Sequence, residues 1–126
     1  MGDLQANKQL AVRYMDEVFN QRKFDVLKEL FAPALAESMS QVTVGFLSAF
    51  PDWRGEINDL FAAGDRVVNR WTGQGTNTVS FMGMPPTNRH VTLEGITIFR
   101  VADGKVAEQW SHADQLGLMR QLGVIP

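Results

Sequence analysis

In the run Glu108-Gln109-Trp110-Ser111-His112-Ala113-Asp114, an acid, an indole, an imidazole and a second acid occupy every other position. Side chains alternate between the two faces of a strand. Val106, Glu108, Trp110, His112 and Asp114 therefore share one face if no bulge intervenes, and Ala107, Gln109, Ser111 and Ala113 share the other. Such a row is out of place against a core but fits a cavity wall. There, apolar surroundings disfavour the charged form of Asp114 and bring its carboxyl toward the range where it works as base and acid. Asp114 has a second role open to it, as the cap of a short helix starting at Gln115. His112 reads either as a group that orients a substrate or as an ordinary hydrogen-bonded histidine.

Other chemistries lack their residues. With two histidines and no cysteine, the chain has no thiolate nucleophile and no disulfide, and a zinc site is not expected. His90, beside Arg89, reads as an exposed loop anchor. Gly73-Gln74-Gly75 starts like a dinucleotide-binding fingerprint, but position 78 is Thr and no helix follows. There is no phosphate-cradling Walker loop, and no serine sits in a Gly-x-Ser-x-Gly elbow. The balance of 12 basic against 14 acidic residues leaves no basic footprint for nucleic acid and no polybasic cue for a membrane.

The positioning elements follow from periodicity. Leu10, Ala11, Tyr14, Met15, Val18 and Phe19 form one stripe of a helix capped by Asp3 and running to about Asn20. A second short helix carries Phe24, Leu27, Leu30 and Phe31 and stops near Pro33. A third, with Leu35, Met39, Val42, Phe46, Ala49 and Phe50, ends at Pro51, although Val42-Thr43-Val44 lowers its helix propensity. From Asp52 the period becomes two. Strands are expected over Arg54–Phe61, Arg66–Thr72 with an extension through Gly73–Thr78, Val91–Val101 and Lys105–Ala113. Asp103-Gly104 makes a tight hairpin, and a helix over Gln115–Leu122 closes the chain. Helices followed by an antiparallel meander make an α+β fold, one domain over residues 1–126. No segment has a signal-peptide core or the roughly eighteen apolar residues of a membrane span, so a cytoplasmic location is expected.

A strongly curved sheet under helices leaves a pocket at its open end, and such pockets are apolar with a few polar groups. The candidate substrate-binding residues are Tyr14, Phe46, Phe50, Trp53, Trp71, Met82, Met84 and Trp110. Most large apolar residues simply pack a core. Met82 and Met84 differ, lying in a proline-rich loop where adaptable methionines suit a pocket mouth.

Taken together, several segments resemble the SnoaL-like polyketide cyclase family. They are Phe50-Pro51-Asp52-Trp53, Gly64-Asp65-Arg66-Val67-Val68, Arg70-Trp71-Thr72, Met82-Gly83-Met84-Pro85-Pro86-Thr87, Gly95-Ile96-Thr97-Ile98-Phe99-Arg100, Asp103-Gly104-Lys105-Val106 and the ending Asp114-Gln115-Leu116-Gly117-Leu118-Met119-Arg120-Gln121-Leu122-Gly123. The helix Tyr14-x-x-Glu17-Val18-Phe19-Asn20 also fits. The resemblance implies the cone-shaped fold of nuclear transport factor 2 and ketosteroid isomerase, often dimeric, and chemistry with no cofactor. It further implies ring closure by intramolecular aldol condensation, with the acid/base four residues after the last strand's Trp, which is Asp114. After Phe31-Ala32-Pro33, where the family usually has a short strand and loop, this chain leads straight into its third helix.

Two kinds of function are expected to compete. One is an enzyme using Asp114, assisted by His112, Trp110 or Tyr14, as a cyclase or as an isomerase or hydrolase of a small hydrophobic molecule. The other is a non-catalytic module that binds an aromatic or polyketide-like ligand, or that dimerises through the outer sheet face. A homodimer is expected in either case.

Overall fold

Asp3 accepts hydrogen bonds from the N–H groups of Gln5 (2.9 Å) and Ala6 (3.2 Å), satisfying two of the donors a helix start leaves open. In the computed structural model, which describes residues 3–126, this cap opens α1 (Leu4–Arg13), which continues as π-helical turns over Tyr14–Asn20. A 3-10 turn, Phe24–Val26, leads into α2 (Leu27–Leu30). Pro33, which lacks an N–H, then occupies the first turn of α3 (Pro33–Ala49), where none is needed. The β-branched run Val42-Thr43-Val44 does not break α3. Thr43 and Leu47 are buried on its inner face, and packing outweighs propensity there.

Four strands follow, β1 (Arg54–Ala63), β2 (Arg66–Thr76), β3 (His90–Ala102) and β4 (Lys105–Ala113), paired antiparallel in sequence order. α4 (Gln115–Leu122) closes the fold. Between β3 and β4, Asp103 (φ 53°) and Gly104 (φ 77°) both take the left-handed conformation that a two-residue hairpin demands. The SnoaL/NTF2-type α+β cone is thus present, with α1 to α3 over the concave face.

Both edge strands carry a β-bulge. In β1 the register shifts between Ile57 and Asp59. In β4, Val106 pairs with Val101 but Glu108 pairs with Arg100, so Ala107 is the extra residue. Bulges bend a strand and strengthen its twist, which curls the sheet into a cone. The second bulge also corrects the alternation expected for β4. A one-residue slip sends every later side chain to the opposite face. Val106 points inward, but beyond the bulge Gln109, Ser111 and Ala113 are the concave residues. Glu108, Trp110 and His112 lie on the outer face.

The interior has two buried clusters. One gathers Val18, Leu27, Leu30, Phe31, Val67 and Phe99. The other gathers Phe50, Trp53, Val91, Leu93, Leu118 and Leu122. Phe31 docks beside β4 through an isolated parallel bridge to Val106, and Ala32 N–H donates to Val106 O (2.8 Å). That bridge takes the place of the strand and loop that the resemblance leads one to expect. The α3–β1 connection is fixed from two sides. The Arg22 guanidinium donates to the carbonyls of Phe19, Phe50, Pro51 and Trp53. Asn20 donates to Gly55 O (2.9 Å) and accepts from Gly55 N–H (2.8 Å). No helix among the described residues is long and apolar enough to cross a membrane.

Asp52 ties the same connection to β2. It accepts from Thr76 N–H (2.6 Å) and from the Thr76 hydroxyl (2.8 Å). The backbone N–H of Thr76 is the main reason the Asp52 carboxyl lies below its ordinary pKa. A lowered folded-state pKa stabilises the protein above the ordinary carboxylate range, and that contribution disappears as pH falls through the folded value. The Asp52→Asn variant is therefore expected to lose part of the acid-dependent change in Tm between about pH 5 and pH 2. An unchanged acid limb in thermal melts would contradict this.

Candidate functional site

The helices do not seal the concave face of the sheet. A cavity of about 220 Å³ remains. Its roof comes from the α1 region and α3, through Tyr14, Met15, Phe19, Met39, Thr43 and Phe46. Its floor is the sheet, with Gly55, Asn69, Trp71, Leu93, Thr97, Phe99, Gln109, Ser111 and Ala113. Trp53 stands at one side and Gln115 at another. The π-helical turns Tyr14–Asn20 carry Tyr14, Met15 and Phe19 into this lining. Such insertions are frequent at functional sites.

Three glycines make the floor possible. A Cβ on Gly73 would lie 2.2 Å from the Trp53 ring, and one on Gly75 would lie 2.9 Å from it. A Cβ on Gly95 would lie 2.4 Å from the Trp71 ring. Two indoles therefore lie flat over backbone that has no side chains to hold them off. Trp53 is wedged further by Phe46 (ring centroids 4.7 Å apart) and Phe50 (5.5 Å). Trp71, crossing Gly95 on β3, donates its indole N–H to Thr97 Oγ1 (2.9 Å). Thr97 Oγ1 in turn shares a hydrogen bond with Ser111 Oγ (2.9 Å) on β4.

No charged side chain is among the residues that line the cavity. The Tyr14 hydroxyl shares a 2.9 Å hydrogen bond with Thr43 Oγ1. Burial pushes its pKa up to about 12, so it keeps its proton at any physiological pH. Gln109 donates to Met39 Sδ (3.3 Å), and its Oε1 is buried with no partner among the described residues. No group of three or more His, Cys, Asp and Glu residues placed to hold a metal ion occurs among the described residues.

Of the residues expected from the sequence, Tyr14, Phe46, Trp53 and Trp71 come together in this lining. The others stand elsewhere. Phe50 is fully buried behind Trp53 as core. Met82, 74% exposed, lies in the 82–88 loop, and Met84 pairs through its backbone with Phe81; neither reaches the cavity. Trp110 and His112 are on the outer face because of the Ala107 bulge, and Arg66 lies 5.0 Å over the Trp110 ring. Asp114 is exposed rather than enclosed. Its Oδ1 accepts from Gly117 N–H (2.9 Å) and caps α4. It is nonetheless flanked on both sides by lining residues, Ala113 and Gln115. A Cβ at position 117 would lie 2.2 Å from Asp114 Oδ2, so Gly117 leaves the carboxylate its room. Sequence reasoning missed Asn69, Thr97, Gln109 and Ser111. A usable signal was there for Thr97: it stands two residues after Gly95 on the strongest strand, on the same face.

The model of the SnoaL-like polyketide cyclase family matches residues 9–122, nearly the whole chain. The chain belongs to the SnoaL-like polyketide cyclase family. Within it, the nogalonic acid methyl ester cyclase of Streptomyces nogalater is 37% identical over 49 residues, a match that spans 39% of this chain and only 37% of that enzyme. Among solved structures, TsrD from Streptomyces laurentii superposes with a TM-score of 0.89 at 27% identity, covering 99% of this chain and all of that one. AclR from Streptomyces galilaeus, proposed to be a hydroxylase, gives 0.87 at 28% identity over 98% of this chain and all of its own. A SnoaL-like polyketide cyclase from Agrobacterium tumefaciens gives 0.77 at 23% identity over 93% and 98%, a likeness of fold. The family match thus covers residues 9–122, and the open interior of the cone is the cavity between α3 and the sheet.

Proposed function

We propose that this SnoaL-like chain holds a small polyketide-type aromatic ketone in its cone cavity and closes a ring on it by intramolecular aldol chemistry, with Asp114 as base and acid. What supports this reading is an uncharged, aromatic cavity whose lining includes Ala113 and Gln115, the two chain neighbours of Asp114. An apolar lining with a few polar groups suits a neutral ring system. Asp114 takes a proton from the carbon α to a carbonyl, leaving an enolate. The enolate carbon attacks a second carbonyl of the same molecule and forms the ring bond. Asp114 then returns the proton to the resulting alkoxide. Atoms balance, no oxidant is consumed, and the apolar lining limits the water that could protonate the enolate. His112, on the outer face, has no part in this scheme.

The test is to incubate the protein with nogalonic acid methyl ester and related aromatic keto esters of one to three rings. A ring-closed isomer of unchanged mass, or its dehydrated form, supports the aldol reading. Gain of one oxygen atom supports a hydroxylase like that proposed for AclR. Binding without turnover supports a ligand-binding module.

The chain is also proposed to work as a homodimer. On the outer sheet face the register places Phe61, Val68, Ile98 and Trp110 side by side across all four strands. Phe61 is 57% exposed and Trp110 41%. The ion pairs Arg70–Asp59 and Arg100–Glu108 flank the row. A continuous apolar row with a charged rim is the anatomy of a protein interface. The residues first expected on this face of β4 were small and polar. The bulge presents Trp110 there instead. Light scattering should give a dimer mass at micromolar concentration, and Trp110→Glu should give a monomer. A monomeric wild type would remove this part of the reading.

A further inference from the structure

Among the cavity's polar groups, the Trp71–Thr97–Ser111 chain has an imbalance that no atom of the described residues resolves. An indole N–H can only donate, whereas each hydroxyl has one proton and two lone pairs. Trp71 donates to Thr97 Oγ1 (2.9 Å), and Thr97 and Ser111 share one hydrogen bond (2.9 Å). Those two hydroxyls bring two protons and use one between them. If Thr97 donates to Ser111, the Ser111 proton is left over. If Ser111 donates, the Thr97 proton is left over. Thr97 is buried and Ser111 is open to the cavity side, so the spare proton is best presented at Ser111. The incoming Trp71 donor favours the same direction, because it polarises the Thr97 hydroxyl toward giving its own proton onward. The Tyr14–Thr43 pair has the same surplus of one O–H, from two hydroxyls and one shared bond. Gln109 Oε1 is a buried acceptor with no partner among the described residues. The cavity is therefore free of charge and offers spare hydroxyl protons at its polar end, alongside the Asn69 and Gln115 amides.

We infer that the Trp71–Thr97–Ser111 chain is a donor site for the substrate's carbonyl oxygen, the spare hydroxyl proton of Ser111 being the group that meets it. The inference rests on the cavity reading above and deepens it by naming the oxygen's partner. Its consequence for catalysis is direct. When the α-proton leaves, negative charge develops on that oxygen, and a donor already aimed there stabilises it more than it stabilises the ketone. The sheet holds the donors rigidly. Thr97 and Ser111 are paired residues of β3 and β4, and Gly95 is what lets the Trp71 ring cross β3 to reach them.

The experiment uses two probes of nearly equal shape, 2-tetralone and its hydrocarbon counterpart tetralin, with wild type and Ser111→Ala. Binding is followed by quenching of tryptophan fluorescence, and the carbonyl stretch of bound 2-tetralone by infrared difference spectroscopy. Ser111 is exposed, so its truncation leaves the fold intact. The expected result is an affinity for 2-tetralone lowered about three- to tenfold in Ser111→Ala, the range of one neutral hydrogen bond. Tetralin affinity should be unchanged, and the carbonyl stretch should move to higher frequency. Thr97→Val keeps the Ser111 proton but removes the donor that polarises it, and should move the stretch in the same direction by less. If wild type binds both probes but Ser111→Ala changes neither the ketone affinity nor the stretch, this inference is overturned and the cavity reading stands. If both probes weaken together, the residue acts only through packing, and the inference again fails. If wild type binds neither probe, the inference falls along with the cavity reading.

Discussion

Asp114→Asn should lower the rate of α-proton removal by about 10²- to 10⁴-fold, the usual worth of a positioned general base. The assay needs no knowledge of the natural substrate. 2-Tetralone in deuterated buffer exchanges its α-hydrogens only when a base removes them, and NMR reads the rate. The variant separates two roles that coincide in one side chain. Asparagine caps a helix about as well as aspartate, so the bond from Gly117 N–H to position 114 and the start of α4 should survive. Asp114→Ala removes both, and should add a stability loss of about 1 kcal/mol to the same loss of exchange. If Asp114→Asn exchanges as fast as wild type, Asp114 is a cap and nothing more. If Asp114→Ala loses exchange while Asp114→Asn keeps it, the loss comes from displacement of α4.

The second large effect is expected at Gly73→Ala. Elsewhere in a strand, alanine for glycine is mildly favourable because glycine loses more conformational freedom on folding. Here the added Cβ would sit 2.2 Å from the Trp53 ring. That ring cannot give way, since Phe46 and Phe50 pack against it and it is only 3% exposed. Overpacking of this kind costs roughly 1–3 kcal/mol, a fall in Tm on the order of 5–15 °C for a chain of this size. Displacement of the indole should also reshape the cavity and weaken 2-tetralone binding. A Tm equal to or above that of wild type would mean that the indole does not lie over β2 as described.

The positions of the elements were legible because the signals that place them are local. The change from a helical period to alternation near Asp52 marks the start of β1, and the Asp103-Gly104 pair has the chemistry of the turn it makes. Pro33 and Pro51 bound α3 because each restricts its own or its neighbour's backbone. What was not legible is which face of β4 looks inward. That depends on Ala107, a residue with no distinguishing chemistry, which is extra only because Val106 and Glu108 both find partners on β3. One unpaired residue moved Trp110 and His112 to the outside and brought Gln109, Ser111 and Ala113 inside. The glycines of the floor were visible but read singly. Gly73, Gly75 and Gly95 gain meaning only when the register shows two indoles lying across them. Asp114 illustrates the opposite case. Both of its expected roles start from the same backbone position, the strand end that is also a helix start, and the cap is the one the fold displays.

The most direct test of the account is a crystal structure of the protein in complex with 2-tetralone. The account predicts the ketone between Trp53, Trp71 and Phe46, its oxygen within hydrogen-bond distance of Ser111 Oγ, and its α-carbon facing the Asp114 carboxylate. A ketone bound on the outer sheet face, or one held in the cavity with its α-carbon out of reach of Asp114, would contradict it.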